Sequence, residues 1–148
     1  MTIAIDFDGT IVEHRYPAIG KEMFFAFDTL KALKKDGHKL ILWTYRHGNC
    51  LKQAIDYCES KGVEFYAVNA SYPGEENDDT HSRKIIADMY IDDRNFGGFP
   101  GWGYIYQKIT GINEGNEYWE KYNKRKNRSF KGFFKKIGSL FSQHEINV

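Results

Sequence analysis

One run of eight residues, Ile3-Ala4-Ile5-Asp6-Phe7-Asp8-Gly9-Thr10, limits what this chain can fold into more than any other. Its apolar half has the composition of a strand buried on both faces, and its polar half places two carboxylates two residues apart, directly before a glycine. Residues two apart on a strand point the same way, so Asp6 and Asp8 start on one side, and Gly9 permits the turn that frees the strand end. Carboxylates this close repel each other, and a cation between them or a bound proton relieves the repulsion. The pattern asks for Mg²⁺ or for an acid/base division of labour, and phosphoryl transfer uses both. Taken alone, Asp-Gly is also an ordinary turn dipeptide.

The rest of the chain alternates strand and helix. A polar stretch from Glu13 to Gly20 precedes a helix with Met23, Ala26, Phe27, Leu30 and Leu33 at helical spacing, ended by Asp36-Gly37. Residues 39–44 form a second apolar run closing on Thr44, and a helix over 49–60 carries Leu51, Ala54, Ile55 and Cys58 on one stripe, stopped by Gly62. Residues 63–68 read as a third strand, 69–81 as a polar, acidic loop, and 87–91 as a fourth strand running into Asp92 and Asp93; a short helix follows around Tyr104 to Ile109. This order predicts an α/β fold, a Rossmann-like parallel sheet with helices on both faces. The crevice of such a sheet lies at the carboxyl ends of its strands, where connections diverge. Asp6 and Asp8, Thr44, and Asp92 and Asp93 all occupy such ends.

Length and composition suit one globular domain: 148 residues, 41% hydrophobic and 16% aromatic. Neither an export signal nor an apolar run of about 18 residues is visible, so a cytoplasmic protein is expected. Two cysteines outside any CxxC pair, Cys50 and Cys58, give no support for a disulfide framework or a zinc site. The net charge of +1 conceals an asymmetry, because the eight Lys/Arg between Lys121 and His144 face no Asp/Glu there. The body is acidic, which disfavours a broad nucleic-acid surface and suits a cation at an acidic mouth.

On these residues the sequence resembles the haloacid dehalogenase (HAD) superfamily, in its phosphatase branch, over roughly residues 1–98. Asp6, Asp8 and Thr10 match its Asp-x-Asp-x-Thr motif, Thr44 the hydroxyl that ends a hydrophobic strand, Lys84 a lysine opening a short helix, and Asp92 and Asp93 the terminal acidic pair. The resemblance implies a nucleophilic Asp6 that forms an aspartyl-phosphate, and an Asp8 that protonates the leaving oxygen and then activates water. It further implies Mg²⁺ on Asp6, the Asp8 backbone carbonyl and Asp92, an Asp93 that orients a water or Lys84, and phosphoryl oxygens held by Thr44 and Lys84. Arg46 either reaches a second anionic group of the substrate or pairs with the acidic loop at Glu75, Glu76, Asp78 and Asp79, while His47 and Arg94 read as surface residues.

The gaps at 11–20 and 69–81 are too short for the family's cap domain. The resemblance then implies an open site, with a large substrate or a second subunit as lid. The expected function is Mg²⁺-dependent hydrolysis of a phosphomonoester. The strings Thr44-Tyr45-Arg46 and Asp92-Asp93-Arg94 are also similar to those of 3′-phosphatase domains of polynucleotide kinases, which makes polynucleotide or nucleotide 3′-phosphatase the alternative. A reading of another class is a non-catalytic phosphate-binding module, against which Asp8 speaks, since its role is proton transfer. The catalytic core is placed at 1–112 and a basic, aromatic helical extension at 113–148. In that extension Phe130, Phe133, Phe134, Ile137, Leu140 and Phe141 recur at helical steps between lysines. Packing on the body or in a homo-oligomer is the first expectation for it, and binding to a membrane surface or an acidic partner the second.

Overall fold

The computed structural model of the protein describes residues 1–76 and 82–111. A first compact unit spans Met1–Thr110. The expectations for the basic extension and for Asp78 and Asp79 lie outside the described residues. Four parallel strands, β1 (Thr2–Ile5), β2 (Lys39–Leu42), β3 (Ala67–Val68) and β4 (Met89–Ile91), form one sheet in the order β3-β2-β1-β4. Among the described residues, three helices accompany them: α1 (Ala26–Lys35), α2 (Gly48–Ser60) and α3 (Trp102–Thr110). The chain is therefore an α/β protein with a Rossmann-like sheet, and β1 is the point from which the connections diverge.

The alternation of side chains across the strands sorts the core into two clusters. Ile3 and Ile5 of β1, Leu40 and Leu42 of β2 and Ile91 of β4 point to one face, where they meet Ala26, Phe27, Leu30 and Leu33 of α1, Ala54 and Cys58 of α2, and Trp102 and Ile105 of α3. Cys58, on the α2 stripe, is buried there as a small apolar residue, its thiol pushed up to about 12 by burial. Ala4, Ile41, Ala67 and Tyr90 point to the other face, which is covered by Ile85, Ala70 and Ala87. The three described helices thus bury their residues against one face. On the second face, where a helix was also expected, the described part of the β3–β4 crossover runs without one, because the polar residues around 69–76 offer no apolar stripe to bury.

Two strands are shorter than their apolar runs. Pairing at β3 starts with the Tyr66 N–H donating to the Leu40 carbonyl, because Val63 is still engaged with the end of α2 through the Cys58 carbonyl. At β4, Asp88 instead caps the start of β1: its carboxylate accepts from the Thr2 N–H at 2.7 Å. Helix α1 begins three residues after Met23, whose carbonyl accepts from the Ala26 N–H.

Candidate active site

The strand ends continue the sheet's hydrogen bonding far enough to fix the polar residues that follow. The Asp6 N–H donates to the Ile91 carbonyl at 3.0 Å, and the Trp43 N–H to the Ile5 carbonyl at 2.8 Å, so Asp6 is held beside Asp92 on one flank and near Thr44 on the other. A pocket of about 610 Å³ opens at this edge, lined by Asp6, Asp8, Thr44, Asp92 and Asp93, with His14, Tyr16, Trp43, Tyr45 and Arg94 around them.

One carboxylate oxygen each from Asp6, Asp92 and Asp93 lies within 4.8 Å of the others. That spacing suits a single hard cation with oxygen ligands. Burial, the dominant cause, together with the charges of Asp92, Asp93 and Asp8 and against a hydrogen bond from the Phe7 backbone, pushes the Asp6 carboxyl up to about 7. Asp93 is also raised, by burial first and then by its hydrogen bond to Asp92. Burial thus disfavours the charged carboxylates first and their mutual repulsion adds to it, and a cation bound among them would oppose both. Of the expected donors, the carboxylates of Asp6 and Asp92 meet here, and Asp93, expected to orient a water or Lys84, joins them.

Asp8 is engaged differently. Both of its oxygens accept from Arg46, from Nε and from Nη2, each at 2.7 Å. Arg46 is buried, at 1% exposure, and also donates to the carbonyls of Pro17 at 2.9 Å and Ala18 at 2.7 Å. Neither outcome weighed for Arg46 from sequence, a substrate contact or a surface pair with the acidic loop, describes this inward fork. The hydrogen bond to Asp8 raises the guanidinium's proton affinity, so it stays a cation.

Thr44 lines the pocket, positioned by a residue the sequence did not single out. Asn69, at the end of β3 with φ 48°, accepts from the Thr44 N–H at 2.7 Å, and the Thr44 hydroxyl accepts from the Arg46 N–H at 3.2 Å. A polar residue of left-handed tendency directly after an apolar run was the available signal. Trp102 was missed as well: buried on α3, its indole N–H donates to the Thr10 carbonyl at 2.8 Å and pins the turn beyond Asp8.

One expected assignment comes out otherwise. Lys84 is exposed on a bend, its N–H donating to the Ser82 hydroxyl, with no helix at this position, and it is not among the residues that line the pocket. The Ser82 side chain favours a local turn over a helical start here. Arg94 and His47 are both exposed, as expected, His47 just ahead of α2, and Arg94 together with His14 also lines the pocket. The pocket wall therefore carries a guanidinium at Arg94 and an imidazole at His14.

Gly9 combines φ +92° with contact against Asp93, whose carboxylate occupies the place a β-carbon would take. Gly9→Ala is expected to cost at least about 2 kcal/mol in folding stability and to displace Asp93. Chemical denaturation checks the first effect, and loss of Mg²⁺-induced stabilisation the second; a variant that melts and binds like the parent would contradict both.

Residues 11–20, all described, form a flap with bridges Asp8–Val12 and Val12–Glu22 at its base and no folded domain within it. Among the described residues no helix is long and apolar enough to cross a membrane. No family model and no curated protein matches the sequence. Among solved structures, a conserved protein coded by a locus of Bacteroides thetaiotaomicron is 57% identical, aligned over 75% of this chain and 90% of that one with a TM-score of 0.71. At that identity and coverage, the chain belongs to the same family as this conserved Bacteroides protein.

Proposed function

We propose that the protein is a Mg²⁺-dependent phosphomonoester hydrolase of the HAD type, working through a phosphorylated Asp6. The observation that carries this reading is the meeting, in one open pocket, of the Asp6–Asp92–Asp93 oxygens with Thr44 and a separate carboxylate, Asp8. Asp6, Asp92 and Asp93 would hold Mg²⁺, which when bound neutralises charge on the phosphoryl oxygens and keeps Asp6 ionised. Asp6 attacks phosphorus as the bond to the leaving oxygen breaks, and Asp8, entering the cycle protonated at a position the Arg46 fork leaves open, gives that oxygen its proton. Asp8 then takes a proton from water as the water oxygen attacks phosphorus and the bond to Asp6 breaks, releasing phosphate and restoring both carboxyl groups. Thr44 and His14 orient the phosphoryl group, and Arg94 on the wall offsets its charge.

A second reading, a nucleotide or 3′-phosphorylated polynucleotide as substrate, draws on Tyr45, which is 89% exposed next to Thr44 in the chain, and on Tyr16, which lines the same pocket. Aromatic faces at such a rim accept stacked bases. The purified protein is expected to hydrolyse an aryl phosphate with Mg²⁺ and to stop on chelation. The same assay on phosphorylated metabolites, nucleotides and 3′-phosphorylated oligonucleotides ranks the two readings by kcat/KM. No turnover of any panel member with Mg²⁺ would overturn the hydrolase assignment.

A further inference from the structure

Arg46 is the largest charged side chain in the core, and the proposed mechanism uses none of its atoms on substrate. Its donors are committed inward: two to Asp8, one to Pro17 and one to Ala18. The guanidinium also lies 4.9 Å from the Phe7 ring and 5.3 Å from the Tyr16 ring, so aromatic contacts hold it as well as hydrogen bonds. A bidentate fork fixes the plane of the carboxylate it binds, which a single ammonium cannot do. Each oxygen of Asp8 offers more than one acceptor direction, and the fork takes one from each. The Asp8 side chain keeps 11% exposure, against 0% for Arg46, and it lines the pocket. What remains of its acceptor capacity opens toward the substrate space.

We propose that Arg46 is a positioning residue that aims the Asp8 carboxylate at the leaving oxygen and ties it to the flap at Pro17 and Ala18, so that flap and proton-transfer group move as one body. This rests on the phosphatase reading for its chemistry, and on the hydrogen bonds alone for the mechanical tie. A residue acting only through Asp8 should matter most where proton transfer matters most, with leaving groups that depart badly without a proton.

The test compares Arg46→Lys and Arg46→Ala with the parent protein on an alkyl phosphate and on dinitrophenyl phosphate. The expected result is a kcat loss of about 100-fold on the alkyl ester, under about tenfold on the dinitrophenyl ester, with KM nearly constant. In an Asp8→Asn background the further loss from Arg46→Lys should fall to about twofold or less, because the group being aimed has gone. Free guanidinium should restore Arg46→Ala, and should not restore it when Asp8 is also replaced. A raised KM with unchanged kcat, or equal losses in both backgrounds, would overturn the proposal. If Arg46→Ala does not fold, Arg46→Lys carries the comparison. Tryptic cleavage after the exposed Arg15, followed by mass spectrometry, reads the tie without any turnover: it should quicken about tenfold in Arg46→Lys relative to other sites. Unchanged cleavage there overturns the tie, whereas a parent protein without phosphatase activity overturns the hydrolase reading and the aiming role with it.

Discussion

Asp6→Asn is expected to abolish turnover and, in the absence of divalent cations at pH 8, to raise the melting temperature. The two effects have one source. Asp6 is a carboxyl raised from 3.8 to about 7 in the fold, mainly by burial and then by its acidic neighbours. A carboxyl whose folded value lies above its unfolded one adds stability below pH of about 4 and loses that contribution as pH rises through about 7. At pH 8 the ionised group is therefore a net cost, up to about 4 kcal/mol at 1.36 kcal/mol per pKa unit, and less to the extent that solvent screens a half-buried group. Asparagine removes the charge while keeping an oxygen for the Phe7 N–H. The gain should vanish at pH 4, and Mg²⁺ should stabilise the parent far more than the variant. Thermal melts at both pH values, with chelator and with Mg²⁺, measure all four states. An Asp6→Asn variant that melts lower than the parent at pH 8, or that Mg²⁺ still protects equally, would remove the Asp6 carboxylate from the cation site.

Asp8→Asn, only two residues away, is expected to act in the opposite sense on stability. An amide presents an N–H₂ where one arm of the Arg46 fork needs an acceptor, leaving a fully buried guanidinium short of a partner. Breaking one side of a buried pair costs about 3–5 kcal/mol, and the two flap carbonyls that still accept from Arg46 moderate that loss. On activity, kcat for ordinary esters should fall by about 10²–10⁴. A substrate with a good leaving group should still phosphorylate Asp6 slowly, and the adduct should persist for want of a base. Mass spectrometry of quenched reactions detects it. Phosphate on a residue other than Asp6, or an Asp8→Asn protein as stable as the parent, would contradict this account.

The contrast shows what the sequence could and could not convey. The strand ends were legible because apolar runs finish in Asp6, Thr44 and Asp92, and the observed order β3-β2-β1-β4 brings those ends together as the crossover rule requires. The partner of each carboxylate was not legible. Asp6 and Asp8 share a spacing and a residue type, yet one faces two acids and the other a guanidinium, a difference made by the flap folding back so that Pro17 and Ala18 meet Arg46. Arg46 carried no sign of its inward course, because an arginine after a strand is usually solvated and its burial here depends on acceptors supplied by residues distant in the chain. Lys84 shows the converse, since its expected place came from motif order alone while the described chain around Ser82 makes a side-chain turn instead of a helix.

The pairing of β1 with β4 also bears on how the molecule comes to be folded. Thr2 and Asp88, joined at the start of those strands, are 86 residues apart, and the contact closes nearly the whole described unit into a loop. Such distant pairing is slow to form, since its entropy is lost before its contacts are gained. Docking of β4 is also the event that brings Asp92 and Asp93 up to Asp6, so electrostatic repulsion is added to the most entropically demanding step. On the ribosome β1 is made before β4 and stays without one neighbour until residues 89–91 follow, and any divalent cation that binds these carboxylates would also speed the last strand home.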